Sequence, residues 1–323
     1  MEMTAPDSWL AALLAPLAPL LARPDVTDIW VNRPGEAFVE GLGGRISRVD
    51  VPGLDEAHLW QLARQCAAVS HQGLSRAQPL LAATLPGGAR VQVVAPPATR
   101  AGLVMAIRKQ VQPGRTLADY AADGGFGGLA APVAALPPMP DLADGAAVAA
   151  YLAAMVRARA NIVVAGGTGS GKTTLLNALL REVPQEERLV LIEDTPELEL
   201  GHPNAVGLVA ARGGGGEAQV GAAELLLAAL RLRPDRIILG ELRGAEAMSF
   251  LRAVNSGHPG SLTCLHADSP EGALEQMALM VLEAGTPLRR ADLLDYIAAT
   301  VQLVVQLERH GAQRRVSRLW RPR

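Results

Sequence analysis

Hydrophobic and polar positions repeat in two different ways along the chain, and the change falls near residue 110. Before it, short alternating segments flank the turn sequences NRPG (32–35) and PGG (86–88), and each pair of segments predicts a β-hairpin. Residues 55–73 have apolar positions at helical spacing and end on a glycine, while residues 102–110 predict a further strand. Residues 1–110 are therefore predicted to form an N-terminal α+β domain.

From residue 142 onward, apolar strands and amphipathic helices alternate. The pattern predicts helices at 144–160, 172–182, 221–232 and 244–255, and strands at 161–165, 188–193, 236–240 and 260–265. Such alternation is typical of a parallel sheet with helices on its faces. The segment 111–141 is rich in glycine and proline, which favours a linker that can act as a hinge. We predict an α/β fold, with the larger domain at 142–323.

A glycine-rich segment, GGTGSGKTT, follows the first strand of this sheet and precedes a helix. It fits G-x-x-x-x-G-K-[ST] in the strand–loop–helix context that identifies a phosphate-binding loop, or P-loop. Backbone N–H groups, the helix N-terminus and Lys172 would bind the β- and γ-phosphates of ATP, and the Thr173 hydroxyl would ligate Mg²⁺. The predicted nucleotide-binding residues are Gly166, Gly167, Thr168, Gly169, Ser170, Gly171, Lys172, Thr173 and Thr174.

Acidic residues follow two other predicted strands, at the sheet edge where ligands bind in open α/β folds. Glu241 follows the strand RIIL and is the candidate to polarise an attacking water; Gly240 stands where an acidic residue is usual. Glu193 and Asp194, with Glu197 nearby, follow the strand LVLI. We expect Glu193 and Asp194 to hold Mg²⁺ through water, or to cap the next segment.

Two histidines lie in the segment SGHPGSLTCLHADSP. His266 follows the strand SLTCL at the same sheet edge, where a neutral imidazole could hydrogen-bond the γ-phosphate or Glu241. For His258 a purely structural role is equally open. His266 is therefore the predicted sensor of hydrolysis.

Composition and net charge make several classes of protein less favoured. Hydrophobic residues make up 49% of the 323 positions, enough for two cores, while aromatics are only 3% and the net charge is −2. No global basic field favours nucleic acid binding, and a local basic patch stays open. Cys66 and Cys264 form no CxxC pair and predict reduced core thiols. The apolar segment at 8–23 is interrupted by prolines and is shorter than the ~20 residues of a membrane span, so we expect a soluble chain that at most lies on a membrane surface.

Four motifs occur in an order that resembles the VirB11-type traffic ATPases of type IV secretion systems, within the secretion NTPase superfamily. They are the P-loop, the Asp box IEDTPEL (192–198), the atypical Walker B segment RPDRIILGELRG (233–244) and the His box SGHPGSLTCLHADSP (256–270). The segments PDVTDIWVNRPGEAFVEG and PLLAATLPGGARVQVVAPPA are similar to that family's N-terminal domain. The resemblance extends over roughly residues 10–310.

This resemblance implies a RecA-like P-loop NTPase motor domain preceded by a smaller PAS-like domain. It further implies a homo-hexamer in which nucleotide lies between the two domains and arginines of the N-terminal domain reach the phosphates; the matching candidates are Arg90 and Arg108. Arg243, which follows the Walker B glutamate, is a separate candidate for which a structural role is also open. The glycines at 213–216 replace what is often a basic loop. The implied function is ATP hydrolysis that powers secretion or conjugation, together with inner-membrane components, at the cytoplasmic face of that membrane, without sequence-specific nucleic acid binding.

Three alternatives stay open at this point. A TrbB-type conjugation ATPase or a pilus motor would use the same chemistry on a different cargo. A RecA-type nucleic-acid translocase is disfavoured by the few aromatics and the balanced charge. A scaffold that binds nucleotide without turnover would need no functional Glu241.

Overall fold

The computed structural model describes residues 5–111, 116–127, 136–211 and 216–322, with side chains from residue 9 onward. Within these ranges the chain forms two β-sheets, a six-stranded one in the N-terminal part and a seven-stranded one in the C-terminal part. No helix in the described ranges is long and apolar enough to cross a membrane.

The N-terminal domain is an antiparallel sheet covered by helices. Its helices are α1 (Ala5–Leu13), α2 (Ala18–Leu21) and α3 (Glu56–Val69), and its strands are β1 (Val26–Val31), β2 (Glu36–Gly41), β3 (Ile46–Asp50), β4 (Leu80–Thr84), β5 (Arg90–Val94) and β6 (Val104–Arg108). The sheet order is β3-β2-β1-β6-β5-β4, and both predicted hairpins, β1–β2 and β4–β5, are present. Leu10, Leu17 and Leu20 of the apolar N-terminal segment are buried in this domain's core.

The C-terminal domain is a mostly parallel sheet with helices on its faces. After α4 (Leu117–Ala122), its helices are α5 (Gly145–Arg157), α6 (Lys172–Leu180), α7 (Ala222–Arg231), α8 (Glu246–Asn255), α9 (Pro270–Glu283) and α10 (Arg290–Thr300). Its strands are β7 (Ile162–Gly166), β8 (Leu189–Glu193), β9 (Ala205–Val209), β10 (Arg236–Leu242), β11 (Leu262–Leu265), β12 (Leu303–His310) and β13 (Gln313–Trp320). The order is β13-β12-β7-β11-β10-β8-β9, with β13 antiparallel at the edge. All the helices and strands predicted after residue 142 are present.

The two domains of the chain pack against each other through a common hydrophobic cluster. Apolar side chains of both contribute to one cluster that includes Trp30, Phe38, Val104, Val190 and Leu208. Beside it, the buried Arg188 guanidinium lies 4.8 Å from the Trp30 ring centroid and donates to Asn32 Oδ1 at 2.9 Å. Asn32 Nδ2 donates in turn to Asn204 Oδ1 at 2.9 Å, and burial lowers the pKa of Arg188. Hydrophobic contacts and hydrogen bonds therefore both cross the interface between the two domains, referred to below as the domain joint. The two domains of the chain pack closely against each other there.

Part of the predicted linker lies outside the described residues, namely 112–115 and 128–135, as do residues 213–215 of the glycine-rich loop. The described part of the linker contains α4, whose N-cap Thr116 and Asp119 form a capping box. Leu117, Tyr120 and Phe126 are exposed there. The predicted hinge function of the linker stays a prediction.

Candidate active site

The P-loop wraps around the N-terminus of α6, at the carboxyl ends of β7, β8, β10 and β11. A cavity of about 350 Å³ opens there, referred to below as the P-loop cavity. Gly169 and Gly171 have φ values of +73° and +94°, which favour glycine, and a Cβ on Gly166 would meet Ser170 Oγ at 2.6 Å. Gly171 is also the N-cap of α6 and offers no side-chain acceptor. The first N–H groups of α6 are therefore left for another anion or acceptor.

Lys172 extends its ammonium back across the loop. Its Nζ lies 3.0 Å from Gly166 O, 3.2 Å from Gly167 O and 3.3 Å from His266 Nδ1. Burial lowers the pKa of Lys172, because the charged form loses hydration. The buried Ser170 Oγ has no hydrogen-bond partner among the described residues. A cation held by neutral acceptors, an uncapped helix end and an unpaired hydroxyl together fit a bound phosphate chain.

The predicted water-polarising carboxylate is held by two partners. Glu241 Oε1 lies 2.7 Å from His266 Nε2, and Arg243 Nε donates to Glu241 Oε2 at 2.7 Å. With Lys172 as the donor to His266 Nδ1, the hydrogen of a neutral imidazole lies on Nε2, which faces Glu241; Glu241 Oε1 itself has no hydrogen-bond partner of good geometry among the described residues. Arg243 also lies 3.5 Å from Asp194 Oδ2, and its pKa is raised chiefly by its hydrogen bond to Glu241. The structure thus brings Lys172, His266 and Glu241 into one chain of contacts.

Oxygen donors line the side of the cavity beyond the P-loop. Thr173 Oγ1 donates to Glu197 Oε2 at 3.2 Å, and Asp194 lines the same cavity. Hydroxyl and carboxylate oxygens are ligands that Mg²⁺ accepts. Within the described ranges, no group of three or more histidine, cysteine or acidic side chains could hold a metal ion unaided. A Mg²⁺ ion would therefore need phosphate oxygens or water as further ligands here.

Glu193 has partners within the protein. Its Oε1 accepts from the backbone N–H groups of Glu197 at 2.9 Å and Leu198 at 2.8 Å, and its other oxygen forms an ion pair with Arg100 of the N-terminal domain. The carboxylate is almost fully buried. These contacts give Glu193 a role in holding the loop 194–198. A part in catalysis or in a Mg²⁺ shell stays a prediction.

The other predicted residues divide between the cavity and other regions. Thr168, Gly169, Ser170, Gly171 and Thr174 line the P-loop cavity. His258 does not; its Nδ1 lies 3.0 Å from Ala253 O, which fits the structural role.

Arg90 and Arg108 lie elsewhere. They line a second cavity, of about 740 Å³, together with Arg231 and Arg233 at the end of α7; these four residues define what is called the arginine cavity below. It shares no lining residue with the P-loop cavity. Arg233 contacts Glu40 at 3.2 Å, while the other three form no ion pair with any described residue. Within one copy, the structure does not bring Arg90 and Arg108 to the P-loop.

Sequence reasoning missed two arginines near the P-loop cavity. Arg314 of β13 lines it, and a Cβ on Gly171 would lie 3.1 Å from Arg314 Cδ. Arg100 does not line the cavity, but it forms an ion pair with Glu193, which does. Arg314 reaches the site because β12 pairs with β7, with Leu307 opposite Gly166, and such a long-range pairing leaves no local signal.

Comparisons with known proteins agree with this architecture. Residues 143–322 match the family described as "Type II/IV secretion system protein". The chain is 38% identical to the type IV secretion system protein VirB11 of Bartonella henselae, over 98% of this chain and 95% of that protein. It is 41% identical to that of Brucella suis, over 95% and 88%. The crystal structure of the VirB11 ATPase from the Brucella suis type IV secretion system, in complex with sulphate, matches with a TM-score of 0.89 and 38% identity, over 98% of this chain and 95% of that one. These matches confirm the predicted fold class.

Proposed function

Since the chain belongs to the family of type II/IV secretion system proteins, we propose that it is the ATPase that powers a type IV secretion or conjugation system. The observation that carries the proposal is the joining of the P-loop to Glu241 through His266. A phosphate-binding loop alone would suit a nucleotide-binding scaffold. A carboxylate held beside it by a hydrogen bond from Arg243 and a 2.7 Å contact with His266 suits hydrolysis.

In the proposed reaction, Lys172 and the N–H groups of α6 bind the phosphates of ATP and stabilise charge that develops on them. Phosphate oxygens replace the neutral acceptors that now surround the ammonium. Glu241, oriented by His266 and Arg243, accepts a hydrogen bond from the attacking water. When the terminal phosphate leaves, Lys172 returns to His266, which alters the position of Glu241.

Thr173 and Asp194 would hold Mg²⁺ together with the nucleotide, and the ion would neutralise phosphate charge. Arg314, which lies over Gly171, adds a further cation on the nucleotide's side of the cavity. The Mg²⁺ site needs oxygen ligands, which Thr173 and Asp194 supply. The contact with the nucleotide needs a positive charge, which Arg314 supplies.

Arg90 and Arg108 would act on the nucleotide of a neighbouring subunit in a homo-hexamer. Three features support this: Arg90, Arg108 and Arg231 form no ion pair with any described residue, the arginine cavity lies apart from its own P-loop, and the contact between the two domains is closely packed. The motion driven by hydrolysis would then occur between subunits. The ring would act with inner-membrane components at the cytoplasmic face of that membrane, on a DNA or a protein cargo, and a TrbB-type or pilus motor would use the same site.

Replacement of Glu241 by glutamine tests the proposal. Phosphate release should fall about 100-fold or more, as for loss of a general base, while ATP affinity measured by calorimetry stays within about threefold. Glu283→Gln, at an exposed carboxylate on α9, is the control and should leave both unchanged.

Unchanged phosphate release in Glu241→Gln would contradict the proposal and favour the nucleotide-binding scaffold. Strong, salt-sensitive stimulation of the wild type by single-stranded DNA would instead favour a nucleic-acid translocase.

A further inference from the structure

We propose that Arg100 is a positioning residue for the ATPase reaction, acting on the P-loop cavity through Glu193; the inference rests on the proposed function. Arg100 lies in the loop between β5 and β6, in the N-terminal domain. Its guanidinium forms an ion pair with Glu193 and donates to Leu198 O at 2.6 Å. Its backbone N–H donates to Gly207 O at 3.0 Å, so main chain and side chain both attach this loop to the C-terminal domain.

Two glycines make room for this ion pair. A Cβ on Gly207 of β9 would lie 2.5 Å from Arg100 Cδ, and a Cβ on Gly240 of β10 would lie 2.8 Å from Glu193 Cγ. Strand β8, which ends at Glu193, runs between β9 and β10. Neither glycine has a positive φ, so space and not backbone conformation requires them. The absence of a side chain at Gly240, where an acidic residue is usual, is thereby explained.

The ion pair holds the loop 194–198, which lines one side of the P-loop cavity. Glu193 holds the N–H groups of Glu197 and Leu198, and this loop carries Asp194 as well as the Glu197 carboxylate that contacts Thr173. Arg100 itself is not among the residues that line the cavity. Without it, Glu193 would be a buried carboxylate without a cation, and the loop would relax toward water. The N-terminal domain thus shapes the active site of its own chain through one side chain.

Steady-state phosphate release by the full-length chain tests this role. Arg100→Met should lower kcat about 10- to 100-fold with KM for ATP within about threefold, because the P-loop is untouched. Arg100→Lys, which keeps the charge, should recover much of the loss. Gly207→Ala should reproduce the loss while both charges remain. Gly201→Ala, whose Cβ would meet nothing within 4 Å, is the matched control and should behave as wild type.

A double variant separates positioning from general stability. If Arg100 acts through Glu193, Arg100→Met combined with Glu193→Gln should have a kcat within about threefold of Glu193→Gln alone. Wild-type kcat in both Arg100→Met and Gly207→Ala, or fully additive losses in the double variant, would overturn the inference. If Arg100→Met does not fold, Gly207→Ala and Arg100→Lys decide the question. A wild-type chain that releases no phosphate would overturn the proposed function instead.

Discussion

The P-loop cavity and the arginine cavity are both rich in cations, but they differ in how those cations are paired. In the P-loop cavity Arg243 is neutralised by Glu241 and Asp194 and Lys172 is held by neutral acceptors, while Arg314 forms no ion pair with a described residue. In the arginine cavity only Arg233 contacts a carboxylate among the described residues. A site whose carboxylate and imidazole are already held in place suits chemistry, whereas a cluster of arginines that mostly lack ion-pair partners suits the binding of an anion from outside.

The largest expected effect tests the P-loop cavity directly. Lys172→Ala removes the buried ammonium, and ATP affinity should fall about 100-fold, ~2.7 kcal/mol, with phosphate release reduced to background. Calorimetry on the folded variant measures the affinity. Lys109→Ala, whose ammonium contacts Arg23 O in the N-terminal domain and does not line the P-loop cavity, should bind ATP as wild type does. Wild-type affinity in Lys172→Ala would remove the basis for assigning nucleotide to this cavity.

The second expected effect tests the arginine cavity. Arg90→Ala and Arg108→Ala should each lower kcat about 100- to 1000-fold, ~2.7–4 kcal/mol, if these arginines stabilise charge in the transition state. Arg289→Ala, at an exposed arginine paired with Asp292, is the control. A mixture of the two purified variants, Arg108→Ala and Lys172→Ala, tests whether the two cavities act together across a subunit interface. Each is expected to be inactive alone, and mixed rings should regain activity, since one subunit supplies the arginine and its neighbour the intact P-loop.

No recovery in the mixed sample, with ring assembly verified by light scattering, would contradict action between subunits. That result would mean that Arg90 and Arg108 act within their own chain. Full activity of both single variants would instead leave the arginine cavity without a part in hydrolysis.

The difference between the two cavities also separates what the sequence predicts from what it does not. The P-loop was predicted nearly to the residue, because strand, loop and helix are contiguous; α6 was predicted at 172–182 and spans Lys172–Leu180. Glu241 and His266 were placed correctly beside it, since parallel strands end at one edge of a sheet. Arg100 and Arg314 were missed, because their approach depends on the domain joint and on the pairing of β12 with β7.

Strand β3 was missed for a different reason. Most of its side chains are exposed, and none is buried, so it lacks the alternation that identifies a half-buried strand. Strands β9 and β12 and helices α9 and α10 were missed as well although they do bury side chains, so burial alone does not decide which elements a local pattern identifies. Contacts between domains, which decide where the arginines lie, have no such pattern.

A third prediction concerns the joint that keeps the two cavities apart in one copy. Arg188→Met should lower the free energy of unfolding by about 2–4 kcal/mol, because Asn32 and Asn204 lose a buried donor. Chemical denaturation measures this. Arg181→Met breaks an exposed ion pair with Glu199 and should change stability by less than about 1 kcal/mol. Equal stability of the two variants would mean that the joint is looser than its contacts indicate.

The smallest expected effect is in the rate at which Cys264 is alkylated. Cys264 lines the P-loop cavity although it is nearly fully buried. Burial raises the pKa of Cys264 to about 12, and that of Cys66 to about 12 as well. Because the thiolate is the reactive form, only about one thiol in 10,000 is ionised at pH 8, and the rate should rise about tenfold per pH unit up to that pKa. Iodoacetamide at pH 8 should therefore leave both thiols of the folded protein unmodified, and label both in urea, as read by mass spectrometry. Rapid labelling of Cys264 but not Cys66 would mean that the P-loop cavity opens widely without nucleotide, and its groups would then not be held in place before ATP binds.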